Sequence, residues 1–314
     1  MKSLKKVMSV KEAPIFIVLV LGCLVVGMLT PFFFSPANLF NVLRQISVYA
    51  ILAVGEALII ITGEIDLSVG YMMGLCGVIT ALCAKAGLHP ILIFIIVLMF
   101  GAAVSSVSGV LITKFGINSF IATLGIQNVC RGVSLLLTGG ISIMVKNPIS
   151  ALGSGYIGQM PICAILMLTV IAVFALFVKY TQLGRNIFAV GSNYTAAKFS
   201  GVNGEAVKIA VFAISGMLVG LCGIISYGTL KAADPTAGAG YELDAVAAVV
   251  IGGTSMAGGE GTIIGVLIGA SIMGVLKNAF VLLKISAYWQ VVVLGVVIIA
   301  AVFIDSVKRL RAEK

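Results

Sequence analysis

The chain has 314 residues, of which 61% are apolar and only 10% charged. A soluble domain carries about 45–50% apolar and about 25% charged residues, so a water-exposed globule, a disordered chain and a coiled coil are all excluded. The net charge of +9 would suggest nucleic acid in a soluble chain. Here it suggests the Lys/Arg excess that membrane proteins keep on their cytoplasmic side, and no nucleic-acid partner is expected.

A spanning helix takes about 20 mostly apolar residues, and ten would use about 200, leaving no room for a large soluble domain. Apolar runs in chain order fall at 15–34, 46–62, 67–84, 91–113, 119–138, 161–180, 207–230, 245–257, 262–283 and 288–306. The expected fold is an all-α integral membrane protein of about ten transmembrane helices in a single domain, 1–314. The first run follows Lys2, Lys5, Lys6 and Lys11 and imitates a signal peptide. No small-x-small cleavage site follows, so it reads as a retained helix. The eighth run is weak: after 245–251 it breaks into Gly252-Gly253-Thr254-Ser255, as a short helix buried in a bundle would.

Ten crossings put both termini on one side. With the N-terminus inside, Lys2, Lys5, Lys6, Lys11, Lys114, Lys179, Arg185, Lys198, Lys208, Lys308, Arg309, Arg311 and Lys314 lie inside, 13 in all. Arg44, Lys85, Lys146, Lys231 and Lys284 lie outside, five in all. The split favours both termini inside. A weak repeat agrees. Glu64-Ile65-Asp66-Leu67 opens the third run and Glu242-Leu243-Asp244-Ala245 the eighth; Gly109-Val110-Leu111 matches Gly274-Val275-Leu276. The offset of five segments predicts two inverted halves, 15–138 and 161–306, with the two Glu-x-Asp turns at opposite faces.

Thr181–Ala206 is the longest polar interval and falls inside. Thr195–Ser200 has helical spacing, with Asn193 as cap and Gly201 as stop. A short amphipathic helix there is a docking element. Ile251–Gly265 is Gly-rich, but Gly259 and Glu260 stand where a phosphate-binding loop needs Lys and Ser/Thr, so no nucleotide site of that kind is present. Six cysteines lie in apolar runs without a Cys-x-x-Cys pair and read as buried small hydrophobes. No nucleophile–base pair or metal-ligand set stands out, so neither an enzyme nor a cofactor is expected. Glu56 and Arg131 both fall near mid-depth and are placed to pair. Lys277-Asn278 and Trp289-Gln290 add donors, acceptors and an aromatic face suited to a hydroxyl-rich solute, and Gln127 and Asn128 add further polar positions.

Four motifs carry a family resemblance. Thr62–Gly70, TGEIDLSVG, resembles the T-G-G-I-D-L-S-V-G signature of the ribose-type sugar permeases of bacterial ATP-binding-cassette importers. Thr123–Gly140, Leu183–Asn203 and Ala247–Gly269 are similar to the same family's next signature, cytoplasmic loop and C-terminal Gly-rich signature. Glu64 departs from the family's usual Gly.

The resemblance implies a multi-pass subunit of the bacterial inner membrane. It would pair with a second permease copy or a paralogue. A separate ATPase would drive it, and an extracytoplasmic binding protein would deliver a monosaccharide. The ATPase is expected at 181–206, where Gly184, Arg185, Asn186, Gly191, Asn193, Ala197 and Ser200 match the family loop. The solute path is expected near Glu56, Asp66, Asn128, Arg131 and Gln290. A permease for branched-chain amino acids or nucleosides, or an ion-coupled secondary transporter, is the alternative.

Overall fold

The computed structural model describes residues 12–312. Lys2, Lys5, Lys6, Lys11 and Lys314, used above for orientation, lie outside the described residues. The chain runs α1 (Ala13–Leu29), α2 (Pro36–Ile61), α3 (Val69–Lys85), α4 (Pro90–Phe115) and α5 (Ser119–Thr138). A short α6 (Ala151–Ser154) and a two-residue hairpin, β1 (Tyr156–Ile157) with β2 (Met160–Pro161), follow. Then come α7 (Ile162–Tyr180), α8 (Gln182–Ser192), α9 (Tyr194–Phe199), α10 (Gly204–Leu230), α11 (Tyr241–Ile251), α12 (Ile263–Leu282) and α13 (Ala287–Ala312).

Local chemistry sets the helix ends. Proline opens α2 and α4 at the first turn, where its missing N–H costs nothing. Asn118 caps α5 by accepting from Phe120 N at 3.0 Å. Gly116 ends α4 and Gly139 ends α5, both with left-handed backbone.

Among the described residues, six helices are long and apolar enough to cross a membrane: α2, α4, α5, α7, α10 and α12. Three further apolar helices are shorter, Ala13–Leu29, Val69–Lys85 and Tyr288–Ala300. The weak eighth run is an 11-residue helix, α11, in which Ala245–Val250 is wholly buried. The second run is longer than its apolar stretch suggests, because Ser35 and Pro36 start the helix ten residues earlier than Ile46.

α2 is the central helix, since every residue from Ile46 to Ile61 is buried. Around it, packing pairs recur in the two halves of the chain. α10 packs on α4 and α3, as α2 packs on α12 and α11. Small residues permit the closest approach. A Cβ at Gly101 would collide with the Gly216 backbone, and one at Gly216 with the Gly101 backbone. The cysteines are free; Cys76, Cys130, Cys163 and Cys222 are buried, Cys23 and Cys83 half-buried.

Candidate functional site

Two non-helical turns fold into the bundle and bring the starts of α3 and α11 together. The first follows α2. The chain turns at Gly63, whose φ of +85° suits glycine. It then runs back beside α2, so that Asp66 N donates to Glu56 Oε1 at 3.1 Å. Asp66 Oδ1 accepts from Ser68 N at 2.8 Å and from the Ser68 hydroxyl, and the Ser105 hydroxyl of α4 donates to Asp66 Oδ2 at 3.4 Å. Glu56 and Asp66 are both fully buried. A helix start leaves N–H groups unpaired and carries positive dipole charge, which is where carboxylates are stabilising.

The second turn, residues 231–240, passes along α3. Pro235 O lies 3.5 Å from where a Gly74 Cβ would stand, and Gly238 lies against Gly70. Glu242, in the first turn of α11, also packs on Gly70. The starts of α3 and α11, which the two Glu-x-Asp motifs precede and open, therefore meet inside the bundle. Each leads its helix inward, and a carboxylate of the second packs on the glycine that opens α3. Glu242 Oε1 accepts from Gln127 Nε2 of α5 at 3.2 Å. Asp244 forms an ion pair with Lys277 of α12. The same ammonium lies 4.8 Å from the Tyr49 ring centroid and 5.6 Å from that of Tyr241. Those two rings stack at 5.1 Å. Asn38 and Asn278 exchange hydrogen bonds at 3.0 and 2.9 Å and join α2 to α12.

The expected Glu56–Arg131 pair does not form. Depth along a helix does not fix the face. Glu56 points into the bundle, whereas Arg131 is on the exposed face of α5, its guanidinium 5.4 Å from the Tyr71 ring centroid. Asn128 shares that exposed side and donates to Leu124 O at 2.9 Å. Gln290 is half-buried on α13 and donates to Ile285 O at 3.2 Å. Of the five expected path residues, Glu56 and Asp66 are in contact, Asn128 and Arg131 are neighbours on α5, and Gln290 stands apart on α13. Sequence reasoning gave no role to Tyr49 or Tyr241. It had flagged Asp244 and Lys277 separately, but not as partners.

At the other end of α2 lies a second constellation, here named the Ile61 end. α9 forms at Tyr194–Phe199, with Asn193 Oδ1 accepting from Ala196 N at 2.9 Å and Gly201 following at φ +82°. Cap and stop stand where the sequence places them. α8 was not expected as a helix; Thr181 caps it by accepting from Gly184 N at 3.0 Å, and Ile187 and Val190 anchor it in the core. Gly184 and Ala197 are buried, Asn186 and Gly191 half-buried, and Arg185, Asn193 and Ser200 exposed. Phe199 is 89% exposed. A Cβ at Gly191 would collide with Ile61 O, the atom that accepts from Gly259 N at 2.9 Å. α8, the end of α2 and the Gly-rich loop thus meet in backbone contact. A cleft of about 300 Å³ opens beside them, lined by Phe188, Gly253, Glu260 and Thr262 among others. Among the described residues no group of three or more His, Cys, Asp or Glu is arranged to hold a metal ion.

Residues 38–302 match the family described as branched-chain amino acid transport system / permease component. The chain belongs to this family. It is 42% identical to the ribose import permease protein of Haemophilus influenzae over 296 residues, which cover 93% of this chain and 92% of that protein. It is 40% identical to the ribose import permease protein of Bacillus subtilis over 302 residues, 93% and 92% of the two chains. It is 34% identical to the galactose/methyl galactoside import permease protein of Escherichia coli over 326 residues, 96% of each. No solved structure matches the chain. Family membership and the apolar helices make this a multi-pass membrane protein and a transport subunit.

Proposed function

We propose that the chain is the membrane-spanning permease of an ATP-binding-cassette importer and that it carries a ribose-like monosaccharide across the bacterial inner membrane. The observation that carries this is the identity of 40–42% with ribose import permeases over nearly the whole of both chains. Coverage that complete takes in both inward turns, the α5 face and the Ile61 end together.

The packing supports a finer reading. α1, α3, α11 and α13 join the six long helices to give ten membrane segments, in two inverted halves, with both termini cytoplasmic. The exchange of packing partners between α2 and α10 supports the halves. Lys114, Arg185, Lys198 and Lys208 gather at the Ile61 end, which supports a cytoplasmic assignment for it. A separate ATPase would dock there on α8 and α9, and a binding protein would deliver solute to the opposite side. Asn128 and Arg131 on the exposed side of α5, with Gln290 on α13, would line the path. Polar side chains on the outside of an apolar helix are costly against lipid, and an aqueous path or a second copy of the permease removes that cost. Glu56 and Asp66, also expected on the path, are fully buried.

The test is uptake into vesicles holding the permease with a candidate ATPase and a candidate binding protein. Labelled ribose should accumulate. Unlabelled ribose should compete, and leucine or a nucleoside should not. Competition by leucine or a nucleoside in place of ribose would overturn the assignment.

A further inference from the structure

We propose that Glu64 and Lys208 form a strut that carries movement of α9 into the turn bearing Asp66, which makes Glu64 a positioning residue for solute transfer. The proposal rests on reading α8 and α9 as the ATPase docking surface. Glu64 sits in the non-helical turn between α2 and α3, two residues before Asp66. Its carboxylate pairs with the Lys208 ammonium in the second turn of α10. The two side chains are only 15% and 16% exposed. They are withdrawn from the solvent that makes an open surface pair weak.

Lys208 also faces α9. Its ammonium lies 5.4 Å from the Tyr194 ring centroid. Tyr194 is the first residue of α9, and its ring fills the space where a side chain at Gly204 would stand. Tyr194, Gly204 and Lys208 therefore make one packed corner between α9 and α10, and Glu64 is fastened to it. The other side of the turn is held differently. Gly191 of α8 packs on Ile61 O, which also accepts from Gly259 N. α8 thus holds the α2–α3 connection before Gly63, and the α9–α10 corner holds it after Gly63 through Lys208 of α10. Gly63, the proposed pivot, has the left-handed backbone and nothing within 4 Å of where a Cβ would stand; turning there would break the Gly63 N to Ile60 O and Glu64 N to Ile59 O hydrogen bonds, at 2.9 and 3.3 Å. Beyond the pivot the chain is tied to Glu56 through Asp66 N, so a push at Glu64 reaches the buried carboxylates by the shortest route along the chain. Residues at the end of an element, as Gly63 is, are where hinge motion is absorbed. An inert ion pair would hold the same distances but would not set how much solute moves per ATP.

The experiment uses the full importer in vesicles and measures solute taken up per ATP hydrolysed. The variants are Glu64→Gln, Lys208→Met and the charge swap Glu64→Lys with Lys208→Glu. A coupling of ordinary allosteric size predicts that the ratio falls about tenfold in each single variant and recovers in the swap. Melting temperatures of all three report folding, and the swap carries the test if a single variant fails to fold. An unchanged ratio in the single variants, or a fall that the swap leaves unrepaired, overturns the strut. Cross-linking of the ATPase to a cysteine placed at Phe199 is measured in the same vesicles. Loss of that cross-link in otherwise unaltered permease sinks the docking surface itself, whereas an intact cross-link with an unchanged ratio sinks only the strut.

Discussion

The Lys277 ammonium of α12 reaches the Asp244 carboxylate at the start of α11 and lies over the faces of Tyr49 and Tyr241. The corresponding carboxylate of the first half, Asp66, is held instead by the Ser68 N–H and by the hydroxyls of Ser68 and Ser105. Two similar Glu-x-Asp motifs therefore reach the same region with different support. The Asp244 side chain is only 6% exposed, so its charge depends on the lysine. Lys277→Met should cost about 3–5 kcal/mol, because it strands a buried carboxylate. Adding Asp244→Asn should recover most of that loss. Thermal unfolding in a single detergent measures both.

Gly191 has no room for a side chain against Ile61 O. Gly191→Ala should therefore push α8 away from α2 and weaken the Gly259 N to Ile61 O hydrogen bond. A destabilisation of about 1–3 kcal/mol is expected from such overpacking. Hydrogen exchange at Gly259 should quicken in the variant, and an unchanged rate would contradict the contact.

Asn38 and Asn278 satisfy one another inside the bundle. Asn278→Ala leaves the Asn38 amide short of a partner, which costs about 1–3 kcal/mol. Asn278→Asp in place of Ala should be worse, since it buries a charge with no cation in that hydrogen-bonded pair. Melting temperatures order the two variants.

Asn128 and Arg131 stand on the exposed side of α5 and hold little of the fold together. Substituting both with Ala should leave stability within about 0.5 kcal/mol. If that face lines the solute path, uptake should fall about tenfold or more, the scale of one lost transition-state contact. Unfolding curves and initial uptake rates separate the two effects.

Much of this was legible in the sequence, for local reasons. Apolar runs located the long helices, because a spanning helix is its own hydrogen-bond partner. Asn193 and Gly201 located α9, because cap and stop act within one turn. The inward turns were not legible. Their polar groups are satisfied by residues far along the chain, as Glu242 is by Gln127. The pairing of Glu56 with Arg131 failed because depth was readable and face was not: α2 is buried on all sides from Ile46 to Ile61, so its hydropathy carries no periodic mark. α8 was hidden for the opposite reason. Gly184 and Gly191 make its sequence look like a loop, and only packing of Ile187 and Val190 on the core makes it a helix.

A permease driven by a separate ATPase should move sugar only when that ATPase can hydrolyse ATP. The most direct measurement is ribose uptake into vesicles carrying the permease, ATPase and binding protein, with ATP sealed inside and every ion gradient collapsed by ionophores. Accumulation that continues without gradients and stops when a non-hydrolysable ATP analogue replaces ATP is the expected result. Uptake that needs a proton or sodium gradient and ignores ATP would contradict it.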